Sequence, residues 1–440
     1  MYYSSAPRWT KGIMILPWIL LVNTNMHAQQ PNIIYIMTDD MGYGDLSGYG
    51  RKDYHTPHLD KLATQGIKFI NAYSAGPLCT PTRTAFMTGR YPAKTPVGLI
   101  EPLTGSKKDL AFGLTTNYPS IATLMKDAGY ETALIGKWHL GFLPEHSPIR
   151  NGFDYFFGIH SGGADYISHK GEHGKHDLYE NDSLVYREGY LTGLFSEKAV
   201  KFIKQKHDKP FFLTVAFNAP HWPFQGPTDK PYPDSVNFRK GGSPALYATM
   251  MKSLDDGVGN IINSVDDGLL SNQTLIIFTN DNGGENFADN GGLTNTKGTL
   301  WEGGIRVPAF VRWTGKIKAG AITQQVAITM DWTATILSAG GGKAHKAFPM
   351  DGINLMPVLL EQDKVIPRVI FWRTFQRIKQ KASRSGNWKY LEDEKGEYLF
   401  NLAVDQQEQN DLKAIKGGVF KKLKKEYARW EKMLLPPIGL

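Results

Sequence analysis

The sequence predicts an α/β fold, a mostly parallel sheet sandwiched between helices, followed by a small antiparallel sheet and a terminal helix. Three observations point there. Short apolar runs rich in β-branched and aromatic residues alternate with stretches of helical periodicity. Each of those runs passes directly into carboxylates, histidines or lysines. From about residue 346 the texture changes to short alternating segments separated by turns. The 440 residues, 41% hydrophobic and 21% charged, suffice for two or three domains, or for one large α/β unit with an appendage. This composition excludes a disordered, collagenous or coiled-coil chain.

In chain order, residues 1–28 read as a secretory leader: Arg8 and Lys11, an apolar run over 12–22, then a polar stretch ending in Ala28. The run is too short to span a bilayer. No cysteine follows it to carry a lipid anchor, and no later apolar run approaches the length of a span. An exported protein, periplasmic or secreted and without a stable membrane anchor, is expected. Without the two leader cations the formal charge falls from +8 to +6. That mild, diffuse excess comes with no base-reading motif, so nucleic acid is not an expected partner. The sequence leaves the oligomeric state open.

The catalytic α/β domain is placed at 29–345. Its buried strands are expected over 33–37, 132–135, 211–217 and 275–278, with helices over 119–128 and 194–204 between them. The C-terminal subdomain is placed at 346–440. It has strands over 369–373, 388–391 and 398–401, and a helix over 419–434 that brings Phe420, Leu423, Tyr427, Trp430 and Leu434 to one face. Lys421, Lys422, Lys424 and Lys425 fall on the other side and read as a solvated face.

Ligands of open α/β sheets bind outside the carboxyl ends of the strands. The four predicted strands lead to Asp39 and Asp40, to Lys137 and His139, to His221, and to Asp281 and Asn282. One rim therefore collects carboxylates, bases and cations. Asp39, Asp40, Asp281 and Asn282 offer only oxygen, which suits a hard divalent cation and is poor for zinc. Arg83, Lys137 and Lys297 read by default as surface charges; counted with such an ion, as the motifs quoted below imply, they sum to +5 against −3 from the three aspartates, leaving +2. At about 4 Å and an effective dielectric near 20, each unit pair interacts by roughly 4 kcal/mol, so an anionic substrate is favoured.

Cys79 is the single cysteine, which excludes an internal disulfide and a thiolate zinc site. It opens Cys79-Thr80-Pro81-Thr82-Arg83, a loop entering a helix, with Pro81 near the first turn where a missing N–H costs nothing. Helix N-termini favour anions. This string, followed by Thr88-Gly89-Arg90, resembles the sulfatase signature, in which the cysteine is oxidised after synthesis to formylglycine. A second sulfatase signature is matched by Gly129-Tyr130-Glu131-Thr132-Ala133-Leu134-Ile135-Gly136-Lys137-Trp138-His139. The resemblance continues through Asp39-Asp40-Met41-Gly42-Tyr43-Gly44-Asp45, Ala219-Pro220-His221, Asn280-Asp281-Asn282-Gly283-Gly284 and Lys297 to Pro308, and covers essentially the whole mature chain.

The resemblance implies an alkaline-phosphatase-like fold and a formylglycine-generating maturation enzyme as partner. It also implies Ca²⁺, with Mg²⁺ the second choice, held by Asp39, Asp40, Asp281, Asn282 and the modified Cys79. The implied reaction begins with a hydroxyl of the hydrated aldehyde attacking sulfur. His221, assisted by Lys297, protonates the departing alcohol; His139 then takes the proton that lets sulfate leave, while Arg83 and Lys137 stabilise charge.

The segment 156–169 is similar to the arylsulfatase B branch, with Ile167 where that branch has a second Tyr. It suggests a sulfated sugar or polysaccharide as substrate, His160 or Ser161 as the contact to sulfate, and His169 as a further substrate contact. His169, His173 and His176 with Glu172 and Asp177 are irregularly spaced and read as a solvated, substrate-facing loop rather than a zinc site. Two other readings remain at this stage. One is a phosphonate or phosphodiester hydrolase of the same superfamily; the other, a non-catalytic glycan-binding relative, is disfavoured because no catalytic position is lost.

Overall fold

The computed structural model describes residues 1–7, 30–172, 174–233, 237–361 and 365–438. The apolar run and Ala28 of the predicted leader lie outside the described residues, as does His173.

The strands of the large sheet are β1 (Asn32–Asp39), β2 (Ile67–Tyr73), β3 (Glu131–Lys137), β4 (Tyr155–Ile159), β5 (Leu178–Glu180), β6 (Ser183–Leu184), β7 (Phe211–Pro220), β8 (Thr274–Asn280), β9 (Ala309–Arg312) and β10 (Ala321–Ile328). They are ordered β10-β2-β9-β8-β1-β7-β3-β4-β5-β6. β1 is central and parallel to β7 and β8, with Ile34 level with Leu213 and Ile276. β9 runs antiparallel between β8 and β2, and β5 antiparallel beside β4. The sheet is thus mixed but mostly parallel.

Alternation along β1 feeds two cores. Ile34 and Ile36 pack under α1 (Pro57–Thr64), α4 (Leu191–Lys204) and α5 (Pro244–Asp267) through Leu59, Phe195, Leu254 and Val258. Ile33, Tyr35 and Met37 point the other way, toward α2 (Cys79–Thr88), α3 (Ile121–Asp127), α7 (Thr329–Ala339) and α8 (Met356–Glu361), meeting Phe86, Met125, Trp332 and Leu359. Burial of each such side chain contributes about 1.5–3 kcal/mol. Both faces being covered explains why these strands read as unbroken apolar runs.

A second sheet joins β11 (Val369–Thr374), β12 (Gln380–Ser385), β13 (Trp388–Asp393) and β14 (Gly396–Asn401) in an antiparallel meander. The terminal helix is shorter than the sequence suggests: α9 spans Gly417–Glu431, and Leu434 follows its last turn. Leu423, Tyr427 and Trp430 bury against this sheet, while Lys421, Lys422, Lys424 and Lys425 are exposed. The same apolar cluster takes in Tyr73, Ala85, Tyr91 and Ile305 of the larger unit, so the small sheet is packed directly onto it. Among the described residues, no helix is long and apolar enough to cross a membrane.

Candidate active site

The carboxyl ends of β1, β3, β7 and β8 lie side by side and deliver the predicted residues to one buried point. Asp39 ends β1, and Asp40 leaves it at φ 64°, a left-handed conformation that aspartate tolerates better than most residues. Asp281 and Asn282 follow β8 directly. Asp40 N–H donates to Asp281 Oδ1 at 3.3 Å, and Asn282 Nδ2 donates to Asp40 Oδ1 at 2.7 Å. Asn280 braces the turn, accepting from the Thr38 hydroxyl at 2.7 Å and donating to the Met41 carbonyl at 2.8 Å.

Cys79 is the first residue of α2, and the whole helix is buried. Its unpaired N–H groups and dipole therefore face the same point as the aspartates. Cys79 Sγ lies 3.4 Å from Asp39 Oδ1. Burial, with Asp39 adding, pushes this thiol well above its usual range, so it is held neutral as a donor.

Three cations close the ring. Lys137 Nζ hydrogen-bonds Asp39 Oδ2 with both side chains fully buried. Arg83 Nη2 is 3.0 Å from Asp281 Oδ2 and 3.6 Å from Asp39 Oδ2, while its Nη1 donates to the Lys137 carbonyl at 3.0 Å. Lys297 Nζ is 2.6 Å from Asp40 Oδ2 and 3.7 Å from Glu285 Oε2. Burial would lower Lys297, but Asp40, Cys79, Glu285 and Asp39 together hold it well above its usual range. Gly136, just before Lys137, has φ 119°, and a Cβ there would sit 1.9 Å from the Ala216 carbonyl oxygen. Only glycine lets β3 close on β7 at this step.

Each histidine has one nitrogen committed to a backbone carbonyl. His139 Nε2 is 2.7 Å from the Leu103 oxygen, so Nε2 carries the proton and the buried Nδ1, which has no partner among the described residues, is a free acceptor. His221 Nδ1 is 2.6 Å from the Trp222 oxygen, leaving Nε2 turned to the site, 3.6 Å from Asp40 Oδ2. Burial first, then Lys137, holds His139 well below its usual range; burial also holds His221 well below.

One ligand atom each from Asp39, Asp40, Cys79 and His221 lies within 4.8 Å of the others. Asp281 is drawn aside by Arg83, and Asn282 Oδ1 is buried with no partner among the described residues. An oxygen-rich donor set with an orphaned amide oxygen fits a hard cation. Burial raises Asp40 above the ordinary carboxylate range, with Lys297 opposing and Asp39 adding. Asp39, Asp40 and Asp281 balance Arg83, Lys137 and Lys297, and the partly exposed Glu285 adds a further carboxylate beside Lys297.

The substrate-side residues are more dispersed. His160 follows β4, stacks on Tyr179 with centroids 4.3 Å apart, and has a buried Nε2 without a partner among the described residues. Burial pushes it down to about 4. Ser161 turns its hydroxyl inward, to Asp177 and to the Gly163 carbonyl at 2.9 Å. His169 is 1% exposed and its Nε2 donates to the Gly189 carbonyl at 2.8 Å, so it braces the loop, where the sequence suggested a solvated position. His176 does the same through Val185, and lines the adjoining cleft that His169 does not reach.

Two features had no legible role in the sequence. The Leu103 and Trp222 carbonyls that fix the histidine tautomers are backbone atoms and carry no residue signal. Glu302, quoted only as part of a motif, is fully buried between Lys389 Nζ at 2.9 Å, Arg306 at 3.3 Å and the Tyr73 hydroxyl at 2.6 Å. Lys389 also meets Glu408 at 2.7 Å. This ion network joins the small sheet to α6 (Glu302–Ile305), which follows the segment that carries Lys297. Glu302-Gly303-Gly304, an acid leading into two glycines, was its one available hint.

Comparison with known proteins agrees with this geometry. The Sulfatase family profile matches residues 31–342. The chain is 33% identical over 371 residues to N-acetylgalactosamine-6-sulfatase of Homo sapiens, covering 78% of this chain and 68% of that protein. It is 34% identical over 378 residues to arylsulfatase J of Mus musculus, covering 82% and 60%. It superposes on the solved structure of Ps i-CgsB in complex with k-i-k-neocarrahexaose with a TM-score of 0.82 at 31% identity, across 93% of this chain and 94% of that one. With an alkaline-phosphatase-like sheet, a buried acid-and-base cluster at its rim and this breadth of similarity, the chain belongs to the sulfatase family and is a sulfuric ester hydrolase.

Proposed function

We propose that the chain removes sulfate from a sulfated sugar or polysaccharide, using formylglycine made from Cys79 by a maturation enzyme and a bound Ca²⁺, and that it is exported to the periplasm or secreted. The observation that carries this reading is the approach of Asp39, Asp40, Cys79 and His221 to within 4.8 Å, ringed by Arg83, Lys137 and Lys297. The sugar substrate is supported by the similarity to N-acetylgalactosamine-6-sulfatase and to a structure holding a neocarrahexaose. We assign residues 29–345 to the catalytic unit and 346–440 to the C-terminal subdomain.

Asp39, Asp40, Asp281 and Asn282 would hold the cation, with Asn282 Oδ1 as the neutral ligand. When bound, the ion and the hydrated aldehyde supply an activated oxygen nucleophile that a neutral thiol does not offer. Arg83 and Lys137 hold the sulfuryl oxygens and the charge that shifts among them. A bound sulfate ester places negative charge beside His221 and favours its imidazolium form, with Nδ1–H committed to Trp222 and the second proton on Nε2, from which it passes to the departing sugar oxygen; Lys297 stabilises that oxygen. His139 takes up at Nδ1 the proton that must leave position 79 when sulfate is expelled. His160 and Ser161 are the proposed contacts to the sulfated ring, and His169 supports their loop from behind.

The test uses enzyme matured in its host and matched aryl sulfate, phosphate diester and phosphonate substrates. Sulfate release should dominate and should vanish in Cys79→Ala. Faster turnover of the phosphorus esters, or sulfate release intact in Cys79→Ala, overturns the reading.

A further inference from the structure

We propose that this chain binds an anionic polysaccharide along a cationic groove running from the catalytic histidines to the C-terminal hairpin, holding sugars beyond the one that loses sulfate. The proposal deepens the sulfated-sugar reading and rests on it for the identity of the polymer. Two adjoining clefts make the groove. The first, about 520 Å³, starts at the site: it is lined by His160, Ser161, Gly162 and Leu103. A Cβ on Gly162 would lie 2.7 Å from His139 Nε2, and Leu103 is the residue whose carbonyl holds that nitrogen. The second, about 580 Å³, shares Thr104 and Ser106 with the first and reaches the hairpin between β11 and β12. Each alone matches a whole small-ligand pocket of about 300–1,000 Å³, so one monosaccharide leaves most of the groove unfilled.

Charge is distributed unequally along it. Lys107 and Lys175 line the first cleft; Lys108, Arg239, Arg377 and Lys379 line the second. All six are exposed, and among the described residues only Arg239 has a carboxylate within 4.0 Å, Glu172 at 3.9 Å. The other acids of the lining are turned inward. Asp109 accepts from the Thr104 N–H at 2.7 Å and the Ser106 hydroxyl at 3.0 Å. Glu101 accepts from the Phe375 and Gln376 N–H groups, both at 2.9 Å, which also fastens the hairpin to the catalytic unit. Asp177 accepts from Ser161 N–H at 2.9 Å. Six cations thus face solvent against one exposed carboxylate, a surface that attracts a chain with repeated negative groups.

Two aromatic contacts place this charge in line with the chemistry. The Arg239 guanidinium lies 4.8 Å above the ring of Trp222, the residue next to His221. At the far end Phe375 is 40% exposed, with Lys379 Nζ 5.1 Å from its ring, an apolar platform for a sugar face beside a cation for its sulfate. The spacing along a flexible polymer requires no step change in the reaction; it requires only binding.

The experiment separates binding from turnover. Cys79→Ala protein is titrated with dextran sulfate, unsulfated dextran and glucose 6-sulfate, alongside Arg377→Glu/Lys379→Glu, Lys107→Glu/Lys175→Glu and, on α9, Lys421→Glu/Lys422→Glu in the same background. The expected result is salt-sensitive binding of dextran sulfate, tighter than glucose 6-sulfate and weakened at least about fivefold by each groove pair but not by the α9 pair. Equal affinity for polymer and monosaccharide, or loss only in the α9 variant, overturns the groove. In the active background each groove pair should lower the polymer-to-aryl-sulfate ratio of kcat/KM by at least about fivefold. Binding that maps to the groove in a protein that releases no sulfate from any ester leaves the groove standing and removes the sulfatase reading; sulfate release with unaltered polymer binding in both groove variants does the reverse.

Discussion

Replacing Lys137 with methionine isolates one charge in the proposed site. The unbranched side chain fills the same buried slot, so the perturbation is chiefly electrostatic. Arg83, Lys137 and Lys297 balance Asp39, Asp40 and Asp281, and a divalent ion takes the sum to +2. The variant leaves +1. At about 4 Å and an effective dielectric near 20, one unit charge on the sulfuryl oxygens is worth roughly 4 kcal/mol. Loss of one preorganised donor to a transition-state anion costs about 10²–10³ in rate, which is of the same size. Sulfate release from an aryl sulfate by Lys137→Met should therefore show kcat/KM lowered by about 10²–10³-fold. Asp39 keeps Arg83 at 3.6 Å, so the protein should remain folded. Thermal unfolding and the formylglycine content measured alongside verify this. A loss below tenfold, in folded and fully matured protein, refutes the assignment of Lys137 as a charge stabiliser.

Other outcomes follow from the same geometry. Lys389→Met takes from Glu408 its one cation among the described residues, while Glu302 keeps Arg306, and should cost about 3–5 kcal/mol in urea unfolding, where Lys421→Met on the solvated helix face costs no more than about 0.5; parity between the two sinks the network's structural role. Glu408 is pushed up to about 7 by burial, against Lys389 and with Glu302 adding, from an ordinary value of 4.5. A folded value above the unfolded one gives stability that is present below pH 4.5 and lost as pH rises through 7. Glu408→Gln should then gain on the natural protein between pH 5 and 8, by about 3 kcal/mol at most, and an identical pH profile for the two contradicts it. Chelation should abolish sulfate release, with Ca²⁺ restoring more than Mg²⁺; full activity in chelator removes the cation from the account.

The parts of the fold that were legible are those with one-dimensional signals. β1, β3, β7 and β8 are buried on both faces, so their apolar runs stand out, and each ends abruptly in polar residues. β10 alternates exposed and buried residues at a sheet edge, and β9 has four residues and runs against its neighbours, so neither gave a comparable run. The approach of Asp39, Asp40, His221 and Asn282 was legible for the same reason: topology sends the carboxyl ends of parallel strands to one rim, whereas Cys79, the first residue of α2, was legible only through its motif. The atom that each histidine leaves free was not, because it depends on the Leu103 and Trp222 carbonyls. Nor was the cationic groove, which gathers Lys107, Lys175, Arg239 and Arg377 from separate loops. Read along the chain, those charges were a diffuse excess.

Everything proposed for the reaction depends on what stands at position 79. Mass analysis of the peptide spanning Cys79, from protein made in its native host, decides it. The account predicts the mass of an aldehyde or its hydrate in place of the thiol, in proportion to the specific activity of the preparation. An intact cysteine in protein that releases sulfate contradicts it.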